Sequence, residues 1–485
     1  MGQSKMPGQG GPGGKVGVRM AVARRRTDPN GPVVVLQRDP GPWTPLTIGW
    51  LATLGLIVVF GLVMLFSASY TTGYLRMGDS YHYIKSQALY ALIGVGVMFL
   101  FSYFDLRFIR KFVWAGYLIS LVLLVAVLFC EPLNGCRRWL NIKGLPTLQV
   151  SELVKFEMIL LTAHLASRTP HPVAPQEGPG ARRRVGSVGG WLYQKIVREL
   201  AVPLLPLVPV LLLLALEPHM SGIVLMCAIV GSILLLNGSG GIITYGGALG
   251  AGFLLETVLS HIDSIPYLQE RLDGWTSDLD QMTDQTLQSL YAIGSGGLTG
   301  LGLGNSVEKQ LWLPECTNDF IFSVVCEELG FVGAVVVILL FVLLLVQGFL
   351  IAFQAADRFS TLVGAGIMAQ VGWQVFCNVA VVTNTLPNTG ISLPFFSSGG
   401  TSLLLLMAEM GVMIHIGRNG ARAAQARRAA HEARQEQAQQ YHIAFIIDAE
   451  YANRGWITFL CNRQNAKSLV IEFIYCLQNP FTNFF

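Results

Sequence analysis

Residues 271–330 read RLDGWTSDLDQMTDQTLQSLYAIGSGGLTGLGLGNSVEKQLWLPECTNDFIFSVVCEELG, the longest polar interval between two apolar runs of the chain. It carries acids at Asp273, Asp278, Asp280, Asp284, Glu308, Glu315 and Asp319, a dense glycine run from Gly294 to Gly304, and only Arg271 and Lys309 as cations. Apolar runs of spanning length flank it on both sides, so it reads as a large loop at a bilayer, and that reading decides the fold. Of the 485 residues, 52% are hydrophobic and 13% charged, whereas a soluble domain is about a quarter charged. An ordinary soluble protein is excluded, and the expected class is an all-α polytopic membrane protein. The eight cysteines show no CxxC or Cys/His pairing of metal-site type.

Outward from that loop, a span needs roughly 20 mostly apolar residues, which predicts about ten helices. They fall near 47–67, 86–104, 110–130, 151–167, 199–216, 220–237, 240–259, 321–353, 362–386 and 400–416. The large loop, 260–320, then lies between the seventh and eighth. Lys and Arg set the direction. Arg24, Arg25 and Arg26, then Arg107, Arg110 and Lys111, then Arg182, Arg183, Arg184, Lys195 and Arg198, and finally Arg418, Arg422, Arg427 and Arg428 share one side if the spans alternate. That side is expected to be the cytoplasm, with both termini inside and the large loop outside. The chain divides into a disordered Gly/Pro/Arg-rich arm (1–46) without a cleavable signal, a membrane domain (47–418), a basic helical tail (419–440) and a segment of unassigned role (441–485).

Four outward constellations carry polar chemistry. In the first, Arg137 and Arg138 beside Trp139 suit a phosphate or pyrophosphate at headgroup level, or plain interfacial anchoring. Farther on, Ser151 reads as the cap of the fourth span, and Glu152 and Lys155 lie at i and i+3 on one helix face. Charges at a span entrance point to a protein-lined cavity. The second is the Glu217-Pro218-His219 corner, most simply a tight turn between helices. The third is the acidic loop, whose carboxylates suit a base, a divalent-ion ligand or solvation. Its glycines mimic GxGxxG spacing but neither follow a strand nor open a βαβ unit, so they read as close backbone packing or re-entry at the membrane edge. The fourth is Asn384–Gly411, where Pro387, Gly390, Pro394, Gly399 and Gly400 predict an irregular segment lining protein or water.

QVSELVK at 149–155, QSLYAIGSGGLTGLGLGNS at 288–306, LPECTNDFIFSVVCEELG at 313–330 and LPNTGISLPFFSSGGTSLL at 386–404 resemble the signature segments of the SEDS family (FtsW, RodA, SpoVE). The resemblance covers roughly residues 45–418 and implies a ten-span peptidoglycan glycosyltransferase of the bacterial plasma membrane. Such an enzyme polymerises lipid II at the outer face, for division, elongation or sporulation. It works with a class B penicillin-binding protein and other divisome or elongasome proteins, and no nucleic-acid partner is implied. Carried onto this chain, the catalytic residues are Asp278, with Asp280 as the alternative, together with Lys155 and Glu152. The substrate-binding residues are Arg137, Arg138, Arg271, Ser397, Gly399 and Gly400. Asp278 serves as general base or holds a divalent cation, Mg2+ or Mn2+. The chain departs from the family pattern where Val150 replaces a proline, His219 an aspartate and Ser398 a tyrosine. Two readings of other classes stand beside it: a transporter that flips lipid II, and a non-catalytic division scaffold. The first is disfavoured because the unusual residues crowd one side and no internal repeat is visible.

Overall fold

A computed structural model of the chain describes residues 41–130, 138–140, 147–168, 200–217, 219–238 and 283–461, with side chains to 440. Its elements in chain order are α1 (Pro45–Met77), α2 (His82–Ser102), α3 (Leu106–Leu128), β1 (Trp139–Leu140), β2 (Leu148–Gln149), α4 (Val150–Arg168), α5 (Leu207–Leu216), α6 (Met220–Leu236), α7 (Asp284–Ser295), α8 (Ile321–Phe353), α9 (Arg358–Val382) and α10 (Gly400–Cys461). The architecture is an all-α polytopic membrane fold. Six of the described helices, α1, α2, α3, α8, α9 and α10, are long and apolar enough to cross a bilayer, and Val202–Leu216 and Met220–Leu236 are shorter apolar helices. The expected span at 240–259 lies outside the described residues, as do the 1–40 part of the arm, Arg137, Arg271, Asp278 and Asp280.

Local chemistry sets the helix ends. Pro45 opens α1 behind Thr44, whose side chain accepts from the Thr47 amide, and Gly78 closes it at φ 72°. Asp105 caps α3 and Asp357 caps α9. Helix α4 begins at Val150, so Ser151 lies inside it, and among the described residues the buried Ser151 hydroxyl has no hydrogen-bond partner. The capping role read from the sequence therefore does not hold.

Within the bundle, α2 packs on α10, α1 on α8, α8 on α9, and α4 on both α3 and α9. Arg418, near the level where α10 leaves the bundle, donates to the Gly41 carbonyl (2.9 Å) and lies over the Trp43 and Tyr103 rings. Arg110 donates to His164 (3.1 Å) and lies over Phe359. These contacts gather the starts of α1, α3 and α9 and the ends of α2 and α4 at one end of the bundle. Beyond it, α10 runs on as an exposed helix through residues 424–440.

At the opposite end, α8 breaks at Gly330 (φ 67°). From there to Phe353 the helix is roughly 35 Å long at about 1.5 Å per residue, enough for a hydrocarbon core of about 30 Å. The glycine run docks on this break. Leu301 and Gly302 donate to the Glu327 and Glu328 carbonyls (both 2.9 Å), while Phe331 and Val332 donate to the Gly297 and Leu298 carbonyls (2.9 and 3.2 Å). Glycines here let two backbones touch and leave none of these amides orphaned. Gly300 sits at φ 79°, where an added Cβ would meet the Glu328 carbonyl. Gly300→Ala is expected to cost about 2 kcal/mol or more, read as a lowered melting temperature in nanodiscs; an unchanged melt would show that the backbone contact is dispensable.

Buried charge locks the same junction. Lys309 pairs with Glu328 (2.6 Å), their side chains 4% and 0% exposed. The Ser67 hydroxyl of α1 donates to Glu328 (2.7 Å). Glu327 accepts from the Ser306 hydroxyl (2.5 Å) and the Val307 amide (2.8 Å). Lys309, one of the two cations of the acidic interval, is therefore a buried brace of the loop.

Candidate functional site

A cavity of about 420 Å³ opens at the end of the bundle where α4 begins. Its walls come from segments far apart in sequence. The β1–β2 hairpin pairs Trp139 with Gln149, which brings Arg138 and Trp139 beside the first turn of α4. That turn supplies Glu152 and Lys155, three residues apart and hence on one face. They form an ion pair (2.7 Å) with Lys155 3% and Glu152 14% exposed. A buried ammonium needs such a partner, because desolvation otherwise costs several kcal/mol.

The α5–α6 corner contributes His219. Burial, with Arg138 and Lys155 adding to it, pushes the His219 imidazole well below its usual range, so it is neutral and not a charge carrier. Glu217 beside it is raised to about 8 by burial, against the pull of Arg138.

The irregular segment before α10 forms a further wall, and polar side chains hold its backbone. Asn378 of α9 donates to the carbonyls of Asp319 and Ile391 (both 2.7 Å). Ser397 accepts from the Leu393 amide (2.8 Å) and donates to the Asn318 carbonyl (2.7 Å). Gln87 of α2 donates to the Ser397 carbonyl (3.2 Å) and accepts from the Gly399 amide (3.3 Å). Such irregular backbone is tolerable at membrane depth only with this satisfaction.

Of the site residues expected from sequence, the cavity gathers Arg138, Glu152, Lys155, Ser397 and Gly399. The Ser397 hydroxyl is engaged by the Leu393 amide of its own turn and by the Asn318 carbonyl, so it shapes the wall. Gly400 is not part of the lining; its α-carbon faces the Tyr90 ring, which fills the place of a Cβ. Arg137, Arg271, Asp278 and Asp280 fall outside the described residues, as noted above. Among the lining residues that the sequence does not single out are Gln370 and Gln374 of α9 and Glu409 of α10, all buried. Their signal was present as an i, i+4 pair of amides and a lone acid inside apolar spans, which the span count absorbed as helix. Among the described lining residues the charges are Arg138 and Lys155 against Glu152, Glu315, Asp319 and Glu409. Among the described residues no group of three or more His, Cys, Asp or Glu side chains converges as a metal site. The arrangement can hold an anionic group beside Arg138 and Lys155 in a protein-lined space at the end of the bundle.

A profile of the family described as cell cycle protein, FtsW/RodA/SpoVE, matches residues 49–421. The stage V sporulation protein E of Bacillus subtilis is 33% identical over 370 residues, covering 75% of this chain and 94% of that one. A probable peptidoglycan glycosyltransferase FtsW of Nitrosomonas europaea is 34% identical over 381 residues, covering 76% and 91%. Among solved structures, the rod shape determining protein RodA of Thermus thermophilus superposes with a TM-score of 0.55 at 26% identity, covering 78% of this chain and 98% of that one. A chain from a structure described as a peptidoglycan synthase complex coordinating polymerization and crosslinking superposes with a TM-score of 0.59 at 26% identity, covering 78% and 99%.

Proposed function

The chain belongs to the FtsW/RodA/SpoVE family and is a multi-pass membrane peptidoglycan glycosyltransferase, and from that premise we propose that it polymerises lipid II at the cavity where α4 begins. The observation that carries this reading is the buried Glu152–Lys155 pair facing a cavity shared with Arg138. The site then faces the outer leaflet, with both termini in the cytoplasm.

In the reaction, the 4-hydroxyl oxygen of an acceptor lipid II forms a bond to the anomeric carbon of the donor glycan. The bond from that carbon to the pyrophosphate oxygen breaks, and the electron pair leaves with undecaprenyl pyrophosphate. Asp278 takes the hydroxyl proton, and inversion yields a β-linked strand. Charge develops mainly on the leaving group, so stabilisation by Lys155 and Arg138, with Arg137 and Arg271 contributing, outweighs the base. Glu152 holds Lys155 in place. General-base help contributes typically ~10²–10⁴-fold, and Asp278→Asn is expected to lose strand formation by at least about 10²-fold. Mg2+ or Mn2+ at Asp278 is the second form of the same proposal; strand formation then disappears with EDTA, whereas a carboxylate acting alone survives it.

The partner is a class B penicillin-binding protein, with other membrane proteins of the division or elongation machinery around it. The likeness to a chain from a peptidoglycan synthase complex supports that assignment. The deciding experiment supplies lipid II to the purified protein in nanodiscs, with and without the penicillin-binding partner, beside Asp278→Asn and Asp280→Asn. Strands lost only with Asp278→Asn support the mechanism. No strands from any form, with lipid II translocated in vesicles, would replace the polymerase by a flippase.

A further inference from the structure

Glu409 lies on α10 at the wall of the cavity, 1% exposed, and its two oxygens accept from the Gln370 amide nitrogen (3.1 and 2.9 Å). The carbonyl oxygens of Gln370 and Gln374, one helical turn apart on α9, are buried without hydrogen-bond partners among the described residues. Of the elements packed on α10, α4 brings the two charges that act on Glu409, Lys155 and Glu152. His219 of the α5–α6 corner lines the same cavity and is neutral, and Arg138 stands on the hairpin wall.

Lys155 therefore shares the cavity with two carboxylates. Glu152 contacts it directly at 2.7 Å and cancels its charge. Glu409, when ionised, leaves the three side chains with one surplus negative charge. That surplus has no use for stability, since its nearest partner is a neutral amide, and a buried carboxylate without its own cation is costly. It does have a use in turnover. Lys155 must attract a pyrophosphate while charge develops on it and must then let the diphosphate product go. An anion that competes for the same ammonium raises the free energy of the bound product.

Resting on the assignment of Lys155 to the leaving pyrophosphate, we propose that Glu409 is a positioning residue for product release, competing through Lys155 with the departing undecaprenyl pyrophosphate. The role belongs to the turnover of the site and not to the bond-making step.

The test is the binding of undecaprenyl pyrophosphate to the purified full-length protein in nanodiscs. Glu409→Gln keeps shape and the amide contact. It is expected to bind the diphosphate roughly tenfold tighter, the order of effect of one unit charge in a partly buried site. In polymerisation, Glu409→Gln lowers KM and kcat together, as when product is held too long. Glu409→Asp restores wild-type behaviour. In a Lys155→Met background the tightening shrinks to less than about twofold, because contacts made through one shared residue are not additive. Unchanged or weaker binding by Glu409→Gln overturns the proposal, and so does tightening that persists in full without Lys155. Lys155→Met binding the diphosphate like wild type instead removes the assignment of Lys155 on which it rests.

Discussion

Lys155→Met is expected to lower glycan-strand formation from lipid II about 10³-fold, the scale on which a preorganised charge at a developing anion contributes. The side chain is 3% exposed and held by Glu152 at 2.7 Å, so its ammonium is fixed before substrate arrives and loses little freedom when charge develops beside it. A truncated side chain would leave Glu152 in the cavity without its cation, and lost folding could imitate lost catalysis. The double variant Lys155→Met with Glu152→Gln removes that orphan charge, and its melting temperature in nanodiscs should stay close to wild type while strands remain absent. Lys155→Arg keeps the charge but spreads it over a planar fork, and it should retain a measurable fraction of activity. Wild-type rates from the double variant would take Lys155 out of the chemistry.

Lys309→Met is the variant expected to cost most in stability. It leaves Glu328, whose side chain is fully buried, with only the Ser67 hydroxyl for a partner among the described residues. Removing one member of a buried pair costs about 3–5 kcal/mol, most of it the desolvation of the charge left behind. Lys309→Met with Glu328→Gln should recover most of that loss, because a neutral amide tolerates the same pocket. The contrast separates a charge effect from a packing effect, and thermal unfolding in nanodiscs reads it directly. Melting of Lys309→Met alongside wild type would show that the pair is neutral in the balance of stability. Activity should fall with Lys309→Met as well, since the loop it braces leads straight into Asn318 and Asp319 of the cavity wall.

Much of the fold was legible because a bilayer reduces the problem to counting. Long apolar runs such as those in α1, α3 and α9 cross, and in the structure their starts are capped locally by Thr44, Asp105 and Asp357. The Glu152–Lys155 pair was equally legible, since spacing on one helix face is a local property. Ser151 was misread because whether a hydroxyl caps a helix or sits one residue inside it depends on where the hairpin delivers the chain. Lys309 read as one of two cations in an acidic loop, and its partner Glu328 lies nineteen residues on, beyond a backbone docking that no periodicity announces.

Sequence alone therefore determined the membrane class, most helix boundaries, the family and the paired charges at the head of α4, all of which depend on residues within a few turns of one another. Only the tertiary structure decided that Glu409 and Gln370, thirty-nine residues apart, share one cavity with Lys155, and that the glycine run closes onto the break at Gly330. The reason is physical: burial and pairing of charge are properties of the space between helices, and that space exists only once the helices have packed.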